Sequence, residues 1–174
     1  SAGNGIGISG VSQDANLMPL AGCKASGCSS ADVIEAAEYA RREGAKVANL
    51  SFGNSVRSPL LRDVIEAASD VLFVASAGND GREPPAFGNL ETIPAYPCME
   101  DTPVGVPSLP GYEPPLDNVI CVAGSDVDDG KVPGSNFGAT GVDLAAPGGL
   151  ILSTVPGANY AYKTGTSMAA PQVT

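Results

Sequence analysis

Gly165-Thr166-Ser167-Met168-Ala169-Ala170-Pro171 places a hydroxyl between small residues at the point where a turn enters a helical run. Glycine at 165 allows a tight turn and the close approach of a second chain, and Thr166 and Ser167 are expected to cap the helix that follows. A serine at a helix N-terminus also lies at the positive end of the helix dipole, where a developing oxyanion is favoured. Taken alone, the stretch reads as an ordinary Ser/Thr cap before a Met-Ala-Ala helix. The segments that precede it change that reading.

Upstream, residues 32–42 carry Val33, Ile34, Ala36, Ala37 and Ala40 at helical spacing, with Ser29 and Ser30 offering the N-cap and Gly44 the C-cap. Residues 46–52 read as a strand, 59–69 as a second helix and 71–77 as another strand, while the apolar run 17–20 fits a short buried strand. Strand, helix, strand, helix, strand predicts an α/β fold, a parallel sheet flanked by helices. Ligands of such sheets sit at the carboxyl ends of the strands, and Ser51-Phe52-Gly53 and Ala77-Gly78-Asn79 fall there. Residues 80–118 hold many prolines and glycines with little periodicity, which predicts a long surface excursion. Residues 119–123 resume an apolar strand, and short strands after Gly134 carry the chain to Ser167.

At 174 residues and 43% hydrophobic content the chain can bury one sizeable core, and no shift in composition divides it. Nine basic against 19 acidic residues give a net charge of -10, which argues against nucleic acid and anionic membranes as partners. No apolar run approaches the roughly 20 residues that span a bilayer. Four cysteines fall into two local sets, Cys23 with Cys28 and Cys98 with Cys121. Of the three possible connectivities, this local one is expected: the first bridge closes a short loop, and the second ties the long excursion to a strand. Two such bridges point to secretion or another oxidising compartment. Buried free thiols are the alternative. Without histidine or a Cys-x-x-Cys pair, a zinc site is not expected.

Residues 165–171 resemble the nucleophile motif of the subtilisin-like serine proteases, the subtilases, and other segments resemble the same family in the same order. Ala48-Asn49-Leu50-Ser51-Phe52-Gly53 is similar to its substrate-binding strand, and Val74-Ala75-Ser76-Ala77-Gly78-Asn79-Asp80 to the strand that ends in its oxyanion-hole asparagine. Ser135-Asn136-Phe137-Gly138 and Val142-Asp143-Leu144-Ala145-Ala146-Pro147-Gly148 resemble its approach to the serine. Asn4-Gly5-Ile6-Gly7-Ile8-Ser9-Gly10-Val11 resembles the loop and strand after its histidine helix.

The resemblance implies a serine endopeptidase acting on protein or peptide substrates, with Ser167 as nucleophile and Asn79 as oxyanion donor. It implies that Ser51, Phe52 and Gly53 line the pocket for the residue before the scissile bond and pair with an extended substrate as an added strand. Ala77, Gly78 and Ala95 would form the opposite wall and floor, Gly27, Cys28 and Ser29 the other edge of the channel, and Asp80 its rim. Tyr96-Pro97 resembles a Tyr-Pro step near that pocket, where a cis bond is expected. Asn4 matches a calcium-liganding asparagine, so a structural calcium is implied. Asp126, Asp128 and Asp129 fit a solvated turn better than a second metal site. An inhibitory prodomain is a further partner that the resemblance allows.

The departures matter. The family's catalytic aspartate and His-Gly-Thr-x-Val-Ala-Gly helix have no counterpart in these residues, and the sequence contains no histidine. The helix opened by Ser167 is expected to be short before Thr174. The chain is therefore expected to be a partial catalytic domain, cut at both ends, inactive and poorly folded on its own; in subtilisin, losing a triad member costs several orders of magnitude in rate. Gln172 stands where the family usually has a histidine outside the triad. The alternative is a pseudoprotease or peptide-binding module that keeps the fold. A different hydrolase with Gly-x-Ser-x-Gly does not match residues 165–169.

Overall fold

A computed structural model of the chain describes residues 5–24, 27–82, 85–103, 107, 108 and 110–174, the side chains of residues 85 and 86 excepted. Two short antiparallel strands, β1 (Cys23–Lys24) and β2 (Gly27–Cys28), lead into helix α1 (Ser30–Arg42). The Ser29 hydroxyl accepts from the Asp32 amide at the start of α1. At its end, Gly44 N donates to Arg41 O and Ala45 N to Ala40 O, so two terminal carbonyls are satisfied in a Schellman pair.

The chain continues through β3 (Val47–Leu50), α2 (Pro59–Ala67), β4 (Leu72–Ser76), β5 (Val119–Ser125) and β6 (Leu144–Pro147). Ser58 caps α2 and Pro59 opens it, where its missing N–H costs nothing. Asn118 closes the other end, its side-chain amide donating to the carbonyls of Ile65, Ala68 and Val71. The four strands form one parallel sheet in the order β3-β4-β5-β6. A hairpin of β7 (Ile151–Val155) and β8 (Asn159–Lys163) then delivers the chain to α3 (Thr166–Val173).

Side-chain alternation along the strands builds two cores. Phe73, Ala75, Cys121 and Ala123 pack with Val33 and Ala37 of α1 and Leu61, Val64 and Ile65 of α2. Val74, Val122 and Ala146 face Ala169 and Ala170 of α3. Helices thus cover both faces, and β4 and β5 read as continuous apolar runs because both of their faces are buried.

Two expectations are corrected. Residues 17–20 form no strand, and Leu17 is 87% exposed. Pro19 withholds a ladder donor in the middle of that run, and apolar content alone does not supply a partner strand. The excursion between residues 80 and 118 is not purely a surface feature: Leu90, Cys98 and Leu116 enter the core, and a 3-10 turn over Pro85–Gly88 is followed by one over Cys98–Asp101. Its apolar residues are too sparse to show a period. Both disulfides form as expected, Cys23–Cys28 across β1 and β2 and Cys98–Cys121 from that turn to β5.

Candidate active site

Three segments meet at the carboxyl ends of β3 and β4: the 51–54 stretch after β3, the 77–80 loop after β4, and the N-terminus of α3. Gly165, with φ 153°, is the N-cap of α3, and Met168 N donates to its carbonyl. Neither Thr166 nor Ser167 caps the helix; both lie within it. The Thr166 hydroxyl is drawn instead into a tertiary network, accepting from Gly78 N at 3.1 Å and donating to Asn79 Oδ1 at 3.3 Å. Thr166 lies past the cap position, which Gly165 holds, and its fully buried hydroxyl finds its partners in the 77–80 loop.

Asn79 is oriented by the same residue. Thr166 N donates to Asn79 Oδ1 at 3.0 Å, and since that amide can only donate, the atom facing it is the oxygen. Asn79 Nδ2 is thereby turned away from Thr166 as a donor, and it has no partner among the described residues. Gly165 leaves the room this requires: a Cβ there would stand 3.1 Å from Asn79 Oδ1.

Ser167 is half-buried and tied to Ser51. Pro171 lacks the N–H that would pair with the Ser167 carbonyl inside the helix. Ser51 Oγ supplies that bond at 3.0 Å, while Ser167 Oγ donates to Ser51 O at 3.1 Å. Asn49 Nδ2 donates to Ser51 Oγ at 2.9 Å and orients it. A seryl hydroxyl and an aimed amide donor thus lie at the N-terminal end of one helix, as acyl transfer through a tetrahedral oxyanion requires.

Beside the 51–54 stretch opens a cavity of about 180 Å³, lined by Cys28, Phe52, Gly53, Leu61, Tyr96 and Glu100 among others. The stretch is joined to Tyr96 by paired bonds, Asn54 N to Tyr96 O and Tyr96 N to Asn54 O. The Tyr96-Pro97 bond is cis, as expected. Cys28, Phe52 and Gly53 are therefore brought together around this cavity. Ala77 is fully buried in the core and Ala95 packs against the same cluster, while Gly78 borders Asn79. Gly27 and Ser29 are exposed and lie outside the lining, and Asp80 is exposed beyond Asn79.

Under the cavity lies a charged group that the sequence did not reveal. Glu100, 2% exposed, accepts from Arg57 and Arg62, whose side chains are 16% and 6% exposed, and both arginines also pair with Glu113. Burial works against the Arg57 charge, but Glu100 and Glu113 outweigh it and raise its pKa. Burial pushes the Tyr96 hydroxyl up, opposed by Arg57, which lies over its ring. Beyond Glu100, burial and a hydrogen bond to Asp143 push the Asp101 carboxyl up to about 8.

Asn4 lies outside the described residues. Among the described residues no group of three or more His, Cys, Asp or Glu side chains is placed to hold a metal ion, and no helix is long and apolar enough to cross a membrane.

A family model described as the subtilase family matches residues 1–174. The chain belongs to the subtilase family. Among its relatives, subtilisin Savinase of Lederbergia lenta is 33% identical over 98% of this chain and 55% of its own length. Thermitase of Thermoactinomyces vulgaris is 34% identical over 98% and 53%. Alkaline elastase YaB of Bacillus sp. (strain YaB) is 32% identical over 98% of this chain but 39% of its own length. The chain spans between about two-fifths and just over half of these relatives. A cold-adapted subtilisin-like serine proteinase shares the fold with a TM-score of 0.72 at 24% identity, covering 94% of this chain and 52% of that one. The prenylagaramide maturation protease PagA superposes with a TM-score of 0.64 at 27% identity, covering 84% and 47%.

Proposed function

We propose that this subtilase segment is the nucleophile and oxyanion part of the catalytic domain of a secreted serine endopeptidase. The observation that carries the reading is the contact of Asn79 Oδ1 with Thr166 N, which turns one amide donor outward beside Ser167. In this reading Ser167 Oγ attacks the peptide carbonyl, the oxyanion takes hydrogen bonds from Asn79 Nδ2 and the Ser167 backbone amide, and water hydrolyses the acyl-enzyme. The proton of Ser167 must go to a base, and these 174 residues contain no histidine; the base would come from chain outside them, and the segment alone would be inactive. The substrate would lie extended along Ser51, Phe52 and Gly53 as an added strand, between Gly78 and Ala95 on one side and Gly27, Cys28 and Ser29 on the other, while Ala77, fully buried, would only back the wall from the core.

Two disulfides support an oxidising compartment. A structural calcium at Asn4, whose amide oxygen is a hard donor of the right type, belongs to the same reading; chelation that leaves the Tm of the full-length protein unchanged would count against it. An inhibitory prodomain also belongs to it and is checked by adding the isolated prodomain to the active enzyme. The test of the whole is amide hydrolysis of a chromogenic peptide by the full-length protein and by Ser167→Ala. Turnover by the first and none by the second supports the enzyme.

A pseudoprotease or peptide-binding module is the second reading. It is favoured by one observation: the Ser167 hydroxyl donates its proton to the Ser51 carbonyl, an acceptor that cannot take it away. Peptide binding without turnover by the folded full-length protein would select it.

A further inference from the structure

Asn136 is 2% exposed, and its bonds bracket one residue. Its Nδ2 donates to Ala77 O at 2.8 Å and its Oδ1 accepts from Asp80 N at 2.8 Å. Its backbone amide donates to Gly78 O at 2.9 Å. The three bonds cover the loop from Ala77 to Asp80 and pass over Asn79. Gly78, at φ +100°, allows the close approach, since a Cβ there would stand 2.5 Å from Asn136 Nδ2. The clamp is itself anchored to the central sheet: Ser135 Oγ donates to Asn136 O and accepts from Gly124 N of β5.

The bridge demands one donor and one acceptor on a single short planar group. Asparagine supplies both. Aspartate would set an acceptor against the Ala77 carbonyl, and alanine would leave Ala77 O and Asp80 N without these partners. With its backbone pinned on either side, Asn79 is left only its own side-chain torsions, and Thr166 fixes those through Oδ1.

We infer that Asn136 is a positioning residue that holds Asn79 as an oxyanion donor. The inference rests on the oxyanion role proposed for Asn79. A small displacement of a preorganised donor is enough to matter, as misplacement by about 1 Å can cost about 100-fold in rate.

The test measures kcat and KM on a peptide substrate with the full-length protease, corrected for the fraction that a fluorophosphonate labels. The variants are Asn79→Ala, Asn136→Ala, Asn136→Asp and both doubles. Asn136→Asp keeps the shape and the Asp80 bond, and it carries the test if the alanine variant does not accumulate. Expected are kcat losses of about 10- to 100-fold for the Asn136 variants with little change in KM. In the Asn79→Ala background the same substitutions should cost no more than about twofold, the spread expected when no coupling remains. Equal losses in both backgrounds, or unchanged kcat in Asn136→Asp, overturn the inference while the role of Asn79 stands. Unchanged kcat in Asn79→Ala overturns the role of Asn79 and the inference with it.

Discussion

Ser51 and Ser167, 116 residues apart in sequence, exchange two hydrogen bonds in which each hydroxyl donates to the carbonyl of the other. The exchange follows from Pro171, which withholds the helical donor for the Ser167 carbonyl. Ser51→Ala in the full-length protein should therefore lower stability by about 0.5–1.5 kcal/mol. Pro171→Ala restores an N–H at that position, so the double variant should regain part of the loss. Urea denaturation of the three variants reads the outcome, and a purely additive double variant would contradict the link.

Asn79→Ala should lower kcat about 100- to 1000-fold with KM little changed, the magnitude known for an oxyanion-hole asparagine in a subtilisin. Steady-state kinetics on one peptide substrate measures both constants. A rise in KM at constant kcat would instead assign Asn79 to ground-state binding.

Thr166→Val keeps the bulk at residue 166 but removes the hydroxyl that accepts from Gly78 N and donates to Asn79 Oδ1. Thr166→Ser should retain near-normal kcat, whereas Thr166→Val should lose about tenfold or more, consistent with a neutral hydrogen bond worth about 1 kcal/mol and misplacement of Asn79. Equal activity of the two would remove Thr166 from the network.

Much of this arrangement was legible in the sequence, for identifiable reasons. Residues 32–42 and 59–69 show helical periodicity because one stripe of each is buried, and the strands of 71–77 and 119–123 read as apolar runs because helices cover both faces. The motifs around Ser167 and Asn79 pointed to one site, although only tertiary contacts bring Asn79 and Thr166 together across 87 positions. The clamp of Asn136 and the pairing of Arg57 and Arg62 with Glu100 were not legible. Each depends on a contact between distant segments, and Glu100 sits in an excursion with no period to mark it as buried. The run 17–20 misled because apolar content signals burial only where a partner surface exists.

Glu100→Gln should destabilise the protein by about 3–5 kcal/mol, the cost of leaving buried charges without their partner. Arg62 and Arg57 are both mostly buried, and Glu113, 42% exposed, offers only a solvated substitute. Thermal and denaturant unfolding of the full-length protein give the difference. A loss under about 1 kcal/mol, typical of an exposed pair, would contradict the burial of this group.

Stability should depend on pH through Asp101. Its carboxyl is raised from 3.8 to about 8 by burial and by Asp143, so the folded state holds a proton that the unfolded chain has released. This contribution is complete below pH 3.8 and is lost as pH rises through about 8. Asp101→Asn removes the titration, so its Tm relative to wild type should rise steadily over that range. A difference that stays flat with pH would place the carboxyl in water.

The most direct test of the central claim is fluorophosphonate labelling of the full-length protein that carries this segment, beside its Ser167→Ala variant. The account predicts stoichiometric labelling of the wild type, with the adduct mapped by mass spectrometry to Ser167, and none of the variant. A folded wild type that does not label, or a label that persists in Ser167→Ala, would contradict the assignment of Ser167 as the nucleophile.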